Sequence, residues 1–190
     1  MALWGITDAD ESKPKWAVRG GAVDQQNIFA TSAGWVLRHY KNAAKTEYWD
    51  EVLVAVDGLV GAGGRGTDTL GNADITAVFF EETGYAGGAT GTVVVIYNEQ
   101  VDVTNGATLV VRNTTDSANI TATAAAQTAT NRVEFTFTAA ATGKAHDIQA
   151  QTISGTIVDT GTSTASDKVF VTGDVVGAGG SGSTTAFTAS

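Results

Sequence analysis

No segment of the 190 residues shows a convincing stripe of apolar side chains at i, i+3, i+4 and i+7, the pattern that lets a helix bury one face. The dominant period is two. Arg132-Val-Glu-Phe-Thr-Phe-Thr138 alternates strictly, setting Val133, Phe135 and Phe137 on one face of a strand and Glu134, Thr136 and Thr138 on the other. Thr92-Val-Val-Val-Ile-Tyr97 is a β-branched apolar run of the buried-strand type. Asp74–Phe80, Ala107–Val111, Ala118–Ala122 and Lys168–Val171 read similarly, with turn signals at Thr104-Asn-Gly106, Thr142-Gly-Lys144 and Asp159-Thr-Gly161 between strands. Gly34–Tyr40 and Glu47–Val56 flank a polar turn, Lys41–Thr46, and form a hairpin candidate. The Ala-rich stretch 122–129 is interrupted by Thr, which disfavours helix. The expected fold is all-β.

Composition divides the chain. All four Trp lie before residue 60, whereas 26 of the 29 Thr follow it. Residues 1–60 carry six basic and eight acidic groups, and residues 61–190 carry five and twelve. The Gly-rich string 61–66 sits on the break, and nearly the same string returns at 176–182. The expected organisation is a smaller β-rich N-terminal module (1–60), a Gly-rich linker (61–71), a β-sandwich (72–172) and a Gly/Ser/Thr-rich tail (173–190). A net charge of −9 argues against nucleic acid as a partner, because phosphate binding is dominated by Lys and Arg. No apolar run approaches the roughly 18–20 residues that span a bilayer, so no membrane is expected either. The first residues lack the basic and apolar regions of a signal peptide, which predicts a soluble protein made in the cytoplasm. Zero Cys removes disulfides and thiolate sites.

From about Asp74 to Asp167 the sequence resembles the Ig-like repeats of bacterial surface proteins and phage structural proteins. The resemblance is carried by Thr92–Val111, then Val133–Phe137, Ile148–Ile153 and Thr156–Asp159. It implies an Ig-like β-sandwich and specifies fold better than function. Leu3-Trp-Gly5, Ser12-Lys-Pro-Lys-Trp16, Phe29–Val36 and Glu51–Val56 resemble small virion structural proteins of contractile-tailed phages, especially marine T4-like ones. That resemblance implies a non-enzymatic protein without cofactors, made in the host cytoplasm and assembled onto the virion. The favoured location is the capsid surface, with the major capsid protein or other virion proteins as partners, and homo-oligomers are allowed. The alternative is a tail, neck or fibre component, or an adhesin for host-surface glycans.

Motifs that suggest catalysis are weak. Gly61-Ala-Gly63-Gly-Arg-Gly66 and Gly177-Ala-Gly179-Gly-Ser-Gly182 satisfy G-x-G-x-x-G, yet neither opens a helix, and both read as linkers. Asp159-Thr160-Gly161 has the form of an aspartic-protease turn, but that chemistry needs two carboxylates sharing a proton. With one copy per chain only a dimeric hydrolase would qualify, a remote alternative, and an Asx-type turn closing a strand is the simpler reading. His39 is expected partly buried beside Leu37 and Trp35, and His146 in a polar turn. Neither has the spacing of a zinc site. The clusters Asp8, Asp10, Glu11 and Glu99, Asp102 read as solvated charge rather than calcium sites. The sequons at Asn113 and Asn119 lack a secretory signal.

Tryptophan is more informative. Trp35 and Trp49 lie on opposite arms of the hairpin, where cross-strand pairing would make them core. Trp4 and Trp16 flank a polar segment with little core of its own, and aromatics on such an arm anchor into partner grooves. Trp4, Lys13, Pro14, Lys15, Trp16 and Arg19 are therefore the expected partner-binding residues.

Overall fold

A computed structural model describes residues 27–31, 34–42, 45–54, 72–160, 164–176 and 184–190. Its described residues contain strands and no α-helix, as the two-residue period requires. Strands β1 (Ile28–Thr31), β2 (Gly34–Tyr40) and β3 (Tyr48–Val54) form an antiparallel sheet in that order. The β2–β3 turn falls where the polar stretch predicts it. Asn42 organises it by accepting the Thr46 amide at Oδ1 (3.0 Å) and donating from Nδ2 to the Thr46 hydroxyl (2.8 Å).

The hairpin register separates the two tryptophans. Trp35 pairs with Val54 and Trp49 with His39, because Trp35 sits at the open end of the hairpin and Trp49 beside its turn. Their expected pairing is therefore corrected. Trp35 is fully buried with Ile28 and Ala30, against which Leu37, Leu53 and Val54 pack. The opposite face of this sheet presents Phe29 and Val36, which join Ala77, Phe79, Val94 and Ile96 in a second cluster. The N-terminal sheet is thus docked on the outer face of the larger one.

The larger assembly begins with β4 (Ile75–Phe80) and β5 (Thr90–Val103). It continues through β6 (Ala107–Asn113), β7 (Ala118–Ala124), β8 (Gln127–Thr138), β9 (Ala145–Asp147), β10 (Gln151–Thr152), β11 (Ile157–Asp159), β12 (Val169–Phe170) and β13 (Ala186–Thr188). The main sheet runs β11-β5-β8-β7-β6-β9-β13, while β4 also pairs with β5. The 14-residue β5 serves two neighbours along one edge: Val93–Tyr97 face β4 and Val101–Val103 face β11. Because β8 returns to lie beside β5 after the β6–β7 hairpin, β5 to β8 form a Greek key, the connectivity of most β-sandwiches. Strands β10 and β12 form a separate pair. The alternation in β8 is confirmed: Val133, Phe135 and Phe137 are buried in the core and Glu134, Thr136 and Thr138 are exposed.

The expectation that residues 173–190 form a tail needs correcting. Val78 donates to the Asp174 carbonyl (2.7 Å) and accepts from the Val176 amide (3.2 Å), so this segment covers the free edge of β4. Phe80 and Thr184 exchange backbone hydrogen bonds, and two residues later β13 pairs with β9. The C-terminal segment therefore joins the two edges of the sheet and closes it, and closure is the most complete answer to exposed strand edges. Phe187 enters the core, where its ring meets Phe80 at 4.9 Å and Tyr85 at 5.1 Å.

His146 is also corrected, from a polar turn to the buried centre of β9. It stacks on Phe187 with centroids 4.6 Å apart, and its Nε2 accepts the Ala140 amide at 3.0 Å. Desolvation holds its pKa below the ordinary 6.5. Accepting a hydrogen bond requires the neutral ring, so this contribution to stability is complete above the unfolded pKa. It is lost as pH falls from there through the depressed folded value. The melting temperature is expected to drop between pH 7.5 and 5.5, and His146→Phe should lose that component of the drop in parallel thermal scans.

Candidate docking edge and polar cleft

The partner-binding residues expected from sequence, Trp4, Lys13, Pro14, Lys15, Trp16 and Arg19, lie outside the described residues. So do Asp8, Asp10, Glu11, the Gly-rich stretches 61–66 and 177–182, and Gly161. What the N-terminal module does display is the edge strand β3. Among the described residues its outer edge pairs with no strand, and it exposes Tyr48, Trp49 and Val52, each about half accessible.

These side chains are held rather than loose. The Arg38 guanidinium lies 3.7 Å from the centroid of the Tyr48 ring and makes a bidentate pair with Asp50 at 2.9 and 3.0 Å. Trp49 stacks on His39 (4.2 Å, 14°), and His39 Nε2 lies 2.9 Å from Glu51 Oε2. An aromatic whose rotamer is already fixed loses less entropy on binding. Sequence reasoning missed this edge because it treated Trp49 as core.

Behind β3 a cleft of about 390 Å³ opens between the hairpin and the larger sheet. Arg38, Tyr40, Lys45 and Tyr48 line it from the hairpin; Gln100 of β5 and residues 127–132 of β8 line it from the sheet. The β5–β8 register shifts on either side of Val101, and Ala129 adopts φ 50°, with its amide donating to Asp102 Oδ1 at 2.8 Å. Arg132 pairs with Glu81 and lies 3.3 Å from Glu134 Oε1. Partial desolvation, followed by the charge of Arg132, lowers the Lys45 pKa. Burial raises that of Tyr40, against the opposing charge of Arg38.

Asp159 is fully buried at the end of β11. Its Oδ1 accepts the Ala73 amide (2.9 Å) and the Ser166 hydroxyl (2.7 Å), bonds across the fold rather than within its own turn. With no accessible surface, the Asp159 carboxylate acts among the described residues as a buried acceptor, and the rest of its Asp-Thr-Gly turn, from Gly161, lies outside them. Glu99 is likewise buried, not a solvated charge as expected. Asp102 is engaged, its Oδ1 also accepting the Thr160 hydroxyl at 3.0 Å. Among the described residues no group of three or more His, Asp or Glu side chains is placed to hold a metal ion. No helix among them is long and apolar enough to cross a membrane. Compared with protein-family models, curated proteins and solved structures, the chain finds no match.

Proposed function

We propose that the chain is a non-enzymatic structural protein of a phage virion that decorates the capsid surface through its N-terminal module. The observation that carries this reading is the exposed edge of β3, where Tyr48, Trp49 and Val52 stand beside unpaired backbone groups among the described residues. A strand edge with ordered aromatics suits addition of a partner strand, and Trp and Tyr supply most binding energy at such contacts. The major capsid protein is the proposed partner, with Trp4, Lys13, Pro14, Lys15, Trp16 and Arg19 extending the contact. The larger sheet supports the reading differently. Its edges are joined through the C-terminal segment and its exposed positions on β8 include Thr136 and Thr138, which suits a module displayed to solvent without edge-to-edge aggregation.

The test is co-sedimentation of the full chain with undecorated heads, tails and host cells, alongside a Trp49→Ala/Val52→Lys variant. The native chain should bind heads saturably, and the variant should bind at least about 30-fold more weakly, since a hot-spot aromatic contributes about 2 kcal/mol or more. Both substitutions lie on an exposed edge, so the melting temperature should hold. Binding to tails or host cells alone would transfer the role to a tail component or adhesin.

A further inference from the structure

The cleft behind β3 is lined almost wholly by groups able to hydrogen-bond, unlike the mostly apolar pockets that take drug-like ligands. Several of those groups have nothing to bond within the described structure. The side chains of Gln100, Thr128 and Asn131 make no hydrogen bond, although Asn131 is about 95% buried. Among the described residues Lys45 has no carboxylate within ion-pair distance, Glu81 and Glu134 acting on it only from farther away, and its ammonium lies 5.7 Å from the Tyr40 ring. Arg132 is nine-tenths buried, and its Nη1 lacks a well-aligned acceptor despite the nearby Glu134. Buried polar groups are ordinarily satisfied, and Arg132 Nη1 is a buried one left without a hydrogen-bond partner on this cavity, beside half-buried Gln100, exposed Thr128 and buried Asn131, whose side chains are open to a ligand.

We propose that this cleft binds a carboxylated sugar, such as a uronate unit of an acidic polysaccharide, with the carboxylate between Lys45 and Arg132 and the hydroxyls on Gln100, Thr128 and Asn131. Amides and hydroxyls both donate and accept, which matches the several hydroxyls of a sugar better than it matches a phosphate, whose oxygens mostly accept. Glu134 at the cleft also disfavours a dianion. Tyr40 and Tyr48 supply ring faces for the apolar side of a pyranose, and the volume accommodates one or two sugar rings. Ala129 gives separate support: a non-Gly residue held at positive φ is a strained conformation of the kind found at binding sites. This site goes beyond virion attachment and does not depend on where on a particle the chain sits.

Calorimetric titration of the full chain with a trigalacturonate, a neutral galactose trimer and inorganic phosphate tests it. Saturable binding of the uronate is expected, weaker at higher salt, with at least tenfold lower affinity for the neutral trimer and for phosphate. Lys45→Gln should lower uronate affinity about tenfold at an unchanged melting temperature, while leaving head binding intact. Absence of saturable uronate binding by the folded chain, equal affinity for the neutral trimer or for phosphate, or an unaffected Lys45→Gln variant would each overturn the assignment.

Discussion

Removing residues 184–190 is expected to leave a chain without a cooperative unfolding transition. The segment contributes the Phe80–Thr184 backbone pair, the β13–β9 ladder, and hydrogen bonds from Gly87 to Ser190 and from Ser190 to Tyr85. It also carries Phe187, which meets Phe80, Tyr85, Phe137 and His146 in one aromatic cluster. Truncating a buried Phe to Ala alone costs about 3–5 kcal/mol, against a total stability of about 5–15 kcal/mol for a domain. Phe187→Ala provides the graded version. Urea unfolding should report a loss in that range, and a loss below about 1 kcal/mol would mean that the sheet does not depend on this closure.

Asp159→Ala is expected to cost about 3 kcal/mol, and Asp159→Asn about 1 kcal/mol. The carboxylate ties Ala73, at the entry to β4, to Ser166 on the segment leading to β12, so removing it leaves a buried amide and a buried hydroxyl without their acceptor. Asparagine keeps one acceptor oxygen and loses mainly the charge assistance. Equal destabilisation by both substitutions in denaturant melts would assign the role to the charge rather than to the acceptor geometry.

These expectations show where sequence was informative. Strict alternation over Arg132–Thr138 reveals a strand with one buried face, and the apolar run Thr92–Tyr97 reveals one buried on both. Periodicity does not reveal what covers the second face. Val93 and Val95 point into the main core, whereas Val94 and Ile96 lie under Phe29 and Val36 of the N-terminal sheet. That docking joins residues some sixty positions apart with no motif to announce it. Strands β9 and β13 have three residues each, too few for a period, and so His146 reads as a turn residue and Phe187 as part of a tail. The hairpin was legible from its polar turn, but the rung Trp49 occupies was not: paired with His39 it shares the face of Trp35, yet lies at the turn end, beyond the buried cluster. The cleft was illegible for another reason. Gln100, Thr128 and Asn131 are ordinary strand residues until bulges in β5 and β8 bring them opposite Lys45.

Electron cryo-microscopy of undecorated phage heads incubated with excess full chain tests the proposed role most directly. The account predicts added density at regular positions on the shell, with the N-terminal sheet and the β3 edge against the capsid and the larger sheet outward. Unchanged heads at saturating concentration, or density confined to tails, would contradict it.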